Sequence, residues 1–240
     1  MAGRERAQKA AATLKEQERR ERGRQFLGLG AVVLVLLAIV FGTYFALSRD
    51  KGVGGGDQTP SKADGYALVV GDADAPTTIR VYEDPQCPVC AQFEKVVGKK
   101  LAKAVDDGRV KVEYRIVSFL DDASANEYSS RAANLLVAVY ETAGPEAFQK
   151  LHDDLYANQP AEGGPGPEDA ALIEAAVAAG ATKSEIEPLV EDKAFGNWLD
   201  EATDQMSKDK VRGTPAVFIN DEMVEGSPQD AANAVLAEVE

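Results

Sequence analysis

Residues 26–47 read FLGLGAVVLVLLAIVFGTYFAL, 22 residues without a charge. As a helix at about 1.5 Å per residue such a run covers about 33 Å, against roughly 30 Å for the hydrocarbon core of a bilayer. A single transmembrane helix is therefore predicted over residues 26–48. Arg19, Arg20, Arg22 and Arg24 crowd the side before it, while only Arg49 and Lys51 follow, beside Asp50. Basic flanks stay preferentially in the cytoplasm, so the N-terminus is expected inside the cell membrane and everything beyond residue 48 outside. A cleaved signal peptide is the alternative. Ala46-Leu47-Ser48 is a passable small-x-small cleavage site, although the apolar region of such peptides is usually about 7 to 15 residues long. Residues 1–25, with eight basic and four acidic side chains, read as a solvated cytoplasmic arm.

The chain of 240 residues is acidic, 40 Asp and Glu against 26 Lys and Arg, and 45% of it is hydrophobic. That apolar share can bury a core, which excludes a disordered acidic chain, and the net charge of −14 excludes a general nucleic-acid binder. Residues 49–65, RDKGVGGGDQTPSKADG, are Gly-rich and nearly devoid of apolar side chains. They are predicted to form a flexible linker with a root-mean-square span on the order of 20 to 25 Å, which would keep the domain at 66–240 near the membrane. The acidic domain is poorly suited to hold anionic lipid by itself, so the tether is the expected means of staying there.

Beyond the linker, β-branched runs at 66–70 and 77–82 predict strands, and residues 88–105 carry Phe93, Val96, Val97, Leu101 and Ala104 at helical spacing, with Pro88 at the first helical position. Gly108 ends that helix, and 110–119 alternates as a half-buried strand. Residues 123–210 offer amphipathic helices and no strand, Pro188 weakening one of them, with an exposed loop at 158–169. A short strand at 216–219, a hairpin turn at Asp221-Glu222 and a last helix begun by Ser227-Pro228, with Asp230 completing a capping box, close the chain. This order predicts an α/β layer with a helical insertion over about 123–210. Phe195, Trp198 and Met206 on the insertion are read as core.

The chain has two cysteines, Cys87 and Cys90, in Asp84-Pro-Gln-Cys-Pro-Val-Cys90. A C-x-x-C at a strand-to-helix junction in an exported domain reads as a redox motif. Cys87 falls at the helix start, where unpaired N–H groups and the positive end of the dipole favour a thiolate, so its sulfur is expected to be easily ionised and open to solvent. Cys90, one turn on, is placed to attack a mixed disulfide held on Cys87, and is expected to be the more buried. A purely structural disulfide is the plain alternative, but a four-residue loop constrains little of the unfolded chain. A metal site is the other: with two Cys and one His the chain lacks the four ligands zinc wants, and copper on two thiolates stays open. His152, flanked by Asp153 and Asp154, reads as a solvated helix residue.

Val81-Tyr-Glu-Asp-Pro-Gln-Cys-Pro-Val-Cys-Ala-Gln-Phe-Glu94 resembles the active-site segment of DsbA-like thioredoxin-fold proteins of the membrane-anchored bacterial type, and Val211-Arg-Gly-Thr-Pro-Ala-Val-Phe-Ile-Asn220 resembles their cis-proline loop. The resemblance covers roughly residues 65–240 in order and spacing. It implies a thioredoxin-like fold with a helical insertion, Cys87 as nucleophile, Cys90 as resolving cysteine, and Thr214 and Pro215 as a substrate-binding loop beside them. A cis bond at Pro215 would present the Thr214 backbone to an extended client peptide; an ordinary trans proline opening an edge strand is the other reading.

The sequence departs from that pattern at two places. Many relatives carry an acidic residue six positions before the first cysteine, where this chain has Val81; its carboxylates are Glu83 and Asp84, read as exposed at the strand end and able to relay a proton to or from Cys90. Val89 stands where the strongest oxidases have His, which can hold a thiolate as Val89 cannot, so weaker oxidation is expected. The expected activity is that of a membrane-tethered extracytoplasmic thiol-disulfide oxidoreductase acting on exported, cysteine-bearing clients. A quinone-linked membrane reoxidase is the partner the resemblance implies, and metal, nucleotide and flavin are not required. A reductase for cytochrome maturation, a copper-binding assembly module and a non-catalytic peptide-binding module are the alternatives.

Overall fold

The computed structural model describes residues 55–239. The arm, the apolar run and the first part of the linker lie outside them. Among the described residues no helix is long and apolar enough to cross a membrane.

The segment 77–116 builds the centre. Strand β2 (Thr77–Glu83) runs into helix α1 (Pro88–Asp106), and β3 (Val110–Ile116) returns parallel to β2, with Thr77 beside Val110 and Glu83 beside Ile116. Strand β1 (Leu68–Val70) pairs antiparallel with β3 on the outer side; β4 (Ala216–Ile219) pairs antiparallel with β2, and β5 (Glu222–Met223) with β4. The sheet order is β1-β3-β2-β4-β5. The turn before β5 places Asn220 and Asp221 at positive φ, one residue earlier than the sequence suggests, and Glu222 is already in the strand. Because alternate residues point to opposite faces, Ile79 and Val81 enter the main core, while Tyr82 meets Phe218, Val117, Met206 and Val211 on the other side. The same alternation carries Glu83 inward.

Between β3 and β4 lie helices α2 (Tyr128–Ala143), α3 (Pro145–Ala157), α4 (Asp169–Ala179), α5 (Lys183–Glu191) and α6 (Gly196–Lys208), and α7 (Pro228–Val239) ends the fold. The expected α/β layer with a helical insertion is thus present. Helix α5 forms around Pro188 because Ile186 and Val190 are buried against the insertion, which offsets the lost hydrogen bond. Phe195, Trp198 and Met206 are core residues. Ser227 and Asp230 bond each other reciprocally at the start of α7. Helix α1 packs against α7 and against α3, and that second contact brings the insertion to the cysteine motif.

The linker departs from expectation. From Gly55 onward it is fastened rather than free: Gly56 N–H donates to Lys193 O at 2.9 Å, Gln58 N–H to Ala194 O at 3.0 Å, and Glu141 accepts from Ser61 Oγ at 2.5 Å and Lys62 N–H at 3.1 Å. The physical reason is close packing. A Cβ at Gly196 would stand 2.8 Å from Gly55 Cα, so the glycines let two backbones touch.

Candidate active site

The end of β2 and the start of α1 hold the cysteines. Cys87 is the N-cap of α1, with Pro88 as the first helical residue, and its N–H donates to Asp84 O at 2.9 Å. Cys87 is 6% exposed and Cys90 fully buried, both as free thiols, so the window on the first sulfur is narrower than the open position expected of it. Tyr156 of the insertion packs against both, with Ala91 and Leu120 at the margin. Pro88 and Val89 form the exposed rim, Val89 at 36%.

The Thr214–Pro215 peptide is cis, and Thr214 O accepts from Cys87 Sγ at 3.4 Å. Two loops separated by more than 120 residues therefore meet at one sulfur. From the insertion, Gln159 Nε2 donates to Pro85 O and Cys87 O, both at 2.9 Å, pinning the turn before α1. Sequence reasoning left Gln159 without a role because nothing local marks it.

The two sulfurs are electrostatically unlike. Hydrogen bonding with the Cys90 thiol is the largest influence on Cys87; burial opposes it, and the Thr214 side chain and the backbone N–H groups of Cys90 and Val89 assist, so the Cys87 pKa is drawn from 9.0 down to about 6. Burial holds Cys90 well above 9.0, reinforced by Cys87 and by the charge of Glu83. Cys87 thus loses its proton far more readily than Cys90, which stays a protonated thiol at neutral pH.

Glu83 and Asp84 are not exposed at the strand end; both are fully buried, because the insertion covers that end of the sheet. Asp84 accepts from Gln86 N–H at 2.8 Å, Leu120 N–H at 3.0 Å and Ser129 Oγ at 2.7 Å. Burial lifts its carboxyl to about 7 against the pull of those donors. Asp84 ties the strand end to α2 and to the loop after β3.

His152 is likewise corrected. It is fully buried on α3, with Nε2 2.8 Å from Glu83 Oε2 and its ring 4.7 Å from both Tyr114 and Tyr156. Its acidic neighbours in sequence misled, whereas its register did not: Phe148, Leu151, Leu155 and Tyr156 line the same apolar stripe. Glu94, unremarked in the sequence, sits on the buried stripe of α1 with Cys90, Val97 and Leu101. A carboxylate at that register was the available signal.

A thioredoxin family model matches residues 63–236. Among solved structures, the chain is similar to reduced DsbA of Mycobacterium tuberculosis, with 31% identity and a TM-score of 0.61 over 73% of this chain and 93% of that one. It is similar also to the disulfide bond oxidoreductase DsbG of Mycobacterium tuberculosis, with 29% identity and a TM-score of 0.59 over 72% and 93%. BdbD of Bacillus subtilis, 22% identical with a TM-score of 0.62 over 77% and 98%, shares the fold. Among curated proteins, 158 residues are 29% identical to serine/threonine-protein kinase PknE of Mycobacterium tuberculosis, covering 63% of this chain but only 28% of the length of that relative. A family model spanning most of the chain, and 31% identity along nearly the whole of a mycobacterial DsbA, agree with the paired sulfurs and the cis-proline loop: the chain belongs to the thioredoxin family, among its DsbA-like thiol-disulfide oxidoreductases.

Proposed function

We propose that this chain is a membrane-tethered, extracytoplasmic enzyme that introduces or exchanges disulfides in exported proteins. The observation that carries the reading is the asymmetry of the sulfurs: Cys87, bordered by an exposed rim, is drawn down to about 6, while Cys90 lies buried behind it as a thiol. In the oxidising direction a client thiolate attacks Cys87 Sγ of the Cys87–Cys90 disulfide. The intramolecular S–S bond breaks, Cys90 leaves as a thiolate and takes a proton, and a mixed disulfide links client and Cys87. A second client thiolate then attacks the client sulfur, Cys87 leaves as a thiolate, and two electrons have passed to the enzyme as its dithiol.

A thiolate that is comfortable in the dithiol form favours the reduced enzyme, and so makes the disulfide an oxidant; this supports the oxidase direction over the reductase one. Thr214 and Pro215, at 3.4 Å from the Cys87 sulfur through the Thr214 carbonyl, are the proposed contact for an extended client segment. The uncharged run at 26–48 is the proposed anchor, with a quinone-linked membrane reoxidase as the partner that takes the electrons onward.

Cys90→Ser leaves Cys87 without its resolving partner. Expressed in cells as the full chain, it is expected to accumulate mixed disulfides with exported proteins that a Cys87→Ser control does not form. If the two variants capture the same set, or neither captures any, the reading fails.

A further inference from the structure

Strand β2, helix α1 and helix α3 each send one side chain able to ligate a metal to a common point. Glu83, Glu94 and His152 offer donor atoms that all lie within 4.8 Å of one another, at 0%, 8% and 0% exposure. Glu83 Oε2 and His152 Nε2 stand 2.8 Å apart. Glu94 Oε2 lies 3.0 Å from where a Cβ at Gly98 would stand, so the glycine leaves that carboxylate its room. Glu83 Oε1, Glu94 Oε1 and His152 Nδ1 are all buried without a hydrogen-bond partner. Buried polar atoms are ordinarily paired, and three orphans on adjoining side chains single this cluster out.

Charge says what kind of partner fits. An imidazolium answers one carboxylate and leaves the second uncompensated in a buried place, whereas a dication beside two carboxylates and a neutral imidazole brings the sum to zero. Carboxylate oxygen with imidazole nitrogen, and no thiolate, is a donor set that suits zinc and its first-row neighbours, and three protein ligands with a fourth position open is a common way of holding zinc. Ligands at 2.0–2.2 Å around a tetrahedral ion stand about 3.3 to 3.5 Å apart, so the donors here need to move by no more than about 1.5 Å. The surroundings agree. A ligating histidine ordinarily gives its other ring N–H to a carboxylate, and Asp153 Oδ1, on an exposed side chain, is 3.7 Å from His152 Nδ1. The rings of Tyr114, Phe148 and Tyr156 wall the imidazole off on the other sides.

We propose that Glu83, Glu94 and His152 form a binding site for one divalent first-row cation, with zinc as the fitting ion, which clasps the helical insertion to the sheet. His152 Nε2 and one oxygen of each carboxylate are the ligands, a water completes the tetrahedron, and Asp153 orients the His152 ring. Glu83 and Glu94 belong to the β2–α1 unit and His152 to the insertion, so the three ligands meet only in the folded chain and the ion stabilises that fold alone. Zinc exchanges no electrons, and the site does not depend on the two sulfurs reacting.

The test is zinc binding by the full chain, untagged and in its disulfide form, where neither sulfur is free to act as a ligand. Competition with a coloured chelator reads stoichiometry and affinity. One zinc per chain is expected, together with a raised Tm. Glu94→Gln and His152→Gln are each expected to weaken binding by roughly 10²-fold or more, and Asp153→Asn by roughly 10-fold, since loss of an outer partner alone costs about 10- to 100-fold. The chain carries 40 Asp and Glu, which hold divalent ions weakly at the surface. Several zinc ions per chain, or an affinity that folded Glu94→Gln and His152→Gln leave unchanged, would mean an adventitious ion only and overturn the proposal, as would no binding at all. Where the variants do not fold, the unaltered protein still decides. His152 is the only histidine in the chain, so cobalt(II) in place of zinc should shift the one set of imidazole NMR signals, and an unshifted ring overturns the site.

Discussion

Cys87 is ionised by neighbours rather than by a cationic side chain: a thiol from Cys90, the Thr214 side chain, and backbone N–H groups at the helix start. Position 89 supplies only its N–H, since its isopropyl group carries neither charge nor donor. Val89 is 36% exposed, so a larger polar side chain fits there without disturbing the core. Val89→His adds a donor and, when protonated, a positive charge beside the thiolate, which stabilises the reduced form and should raise the reduction potential. Equilibration of both proteins with glutathione measures it; equal potentials would sink this account of position 89. The same residue scale shows what a sequence reveals. The roles suggested for Cys87 and Cys90 follow from local facts, two thiols three apart at a helix start. The surroundings of Glu83, Asp84 and His152 depend on which helix covers the end of β2, and no neighbour in sequence states that.

At the scale of elements, the segment from Gly55 to Lys62 and helix α6 make a sharper case. Gly196 opens α6, where alanine is ordinarily the better helix former by about 1 kcal/mol. If the linker were free, Gly196→Ala would therefore stabilise the domain. With Gly55 Cα 2.8 Å from the added methyl, the contact is backbone against backbone and neither side can turn away, so the overpacking cost, about 1 to 3 kcal/mol, wins. Thermal unfolding is expected to show a lower Tm for Gly196→Ala, and a raised Tm would mean that the strap is not docked. Glycine-rich composition suggested flexibility because the composition of a free coil and that of a close backbone crossing are alike. The strands were more legible, since β2, β3 and β4 carry their alternation or β-branching within the run, and α1 carries its apolar stripe. The insertion could be read as helices but not as a lid over the site, because packing partners, unlike periodicity, are set by the rest of the fold.

Over the whole molecule, the unequal sulfurs couple folding, redox state and pH. In the reduced form Cys87 titrates near 6 when folded and near 9.0 as an ordinary thiol when unfolded. A group whose folded pKa is depressed contributes stability that is complete above the unfolded value and is lost as pH falls toward the folded one. Across pH 9 to 6 the reduced protein should thus lose about 1.4 kcal/mol per unit, about 4 kcal/mol in all, while the oxidised protein, with no Cys87 thiol to ionise, lacks this dependence. Cys90, held above 9.0 in the fold, opposes this only at the top of the window, where its thiol begins to ionise in the unfolded chain. Asp84 near 7 and His152 near 10 are raised, and draw stability down as pH rises, but they do so in both redox forms, Cys87 being the smallest named influence on Asp84 and not among those on His152. Subtracting the two forms cancels them. Urea unfolding of reduced and oxidised protein at a series of pH values should give a difference that grows in favour of the reduced form from pH 6 to 9, and this growth is the thermodynamic source of an oxidising disulfide. A difference that stays flat over the window would mean that the fold does not favour the thiolate, and the oxidase direction would lose its driving force.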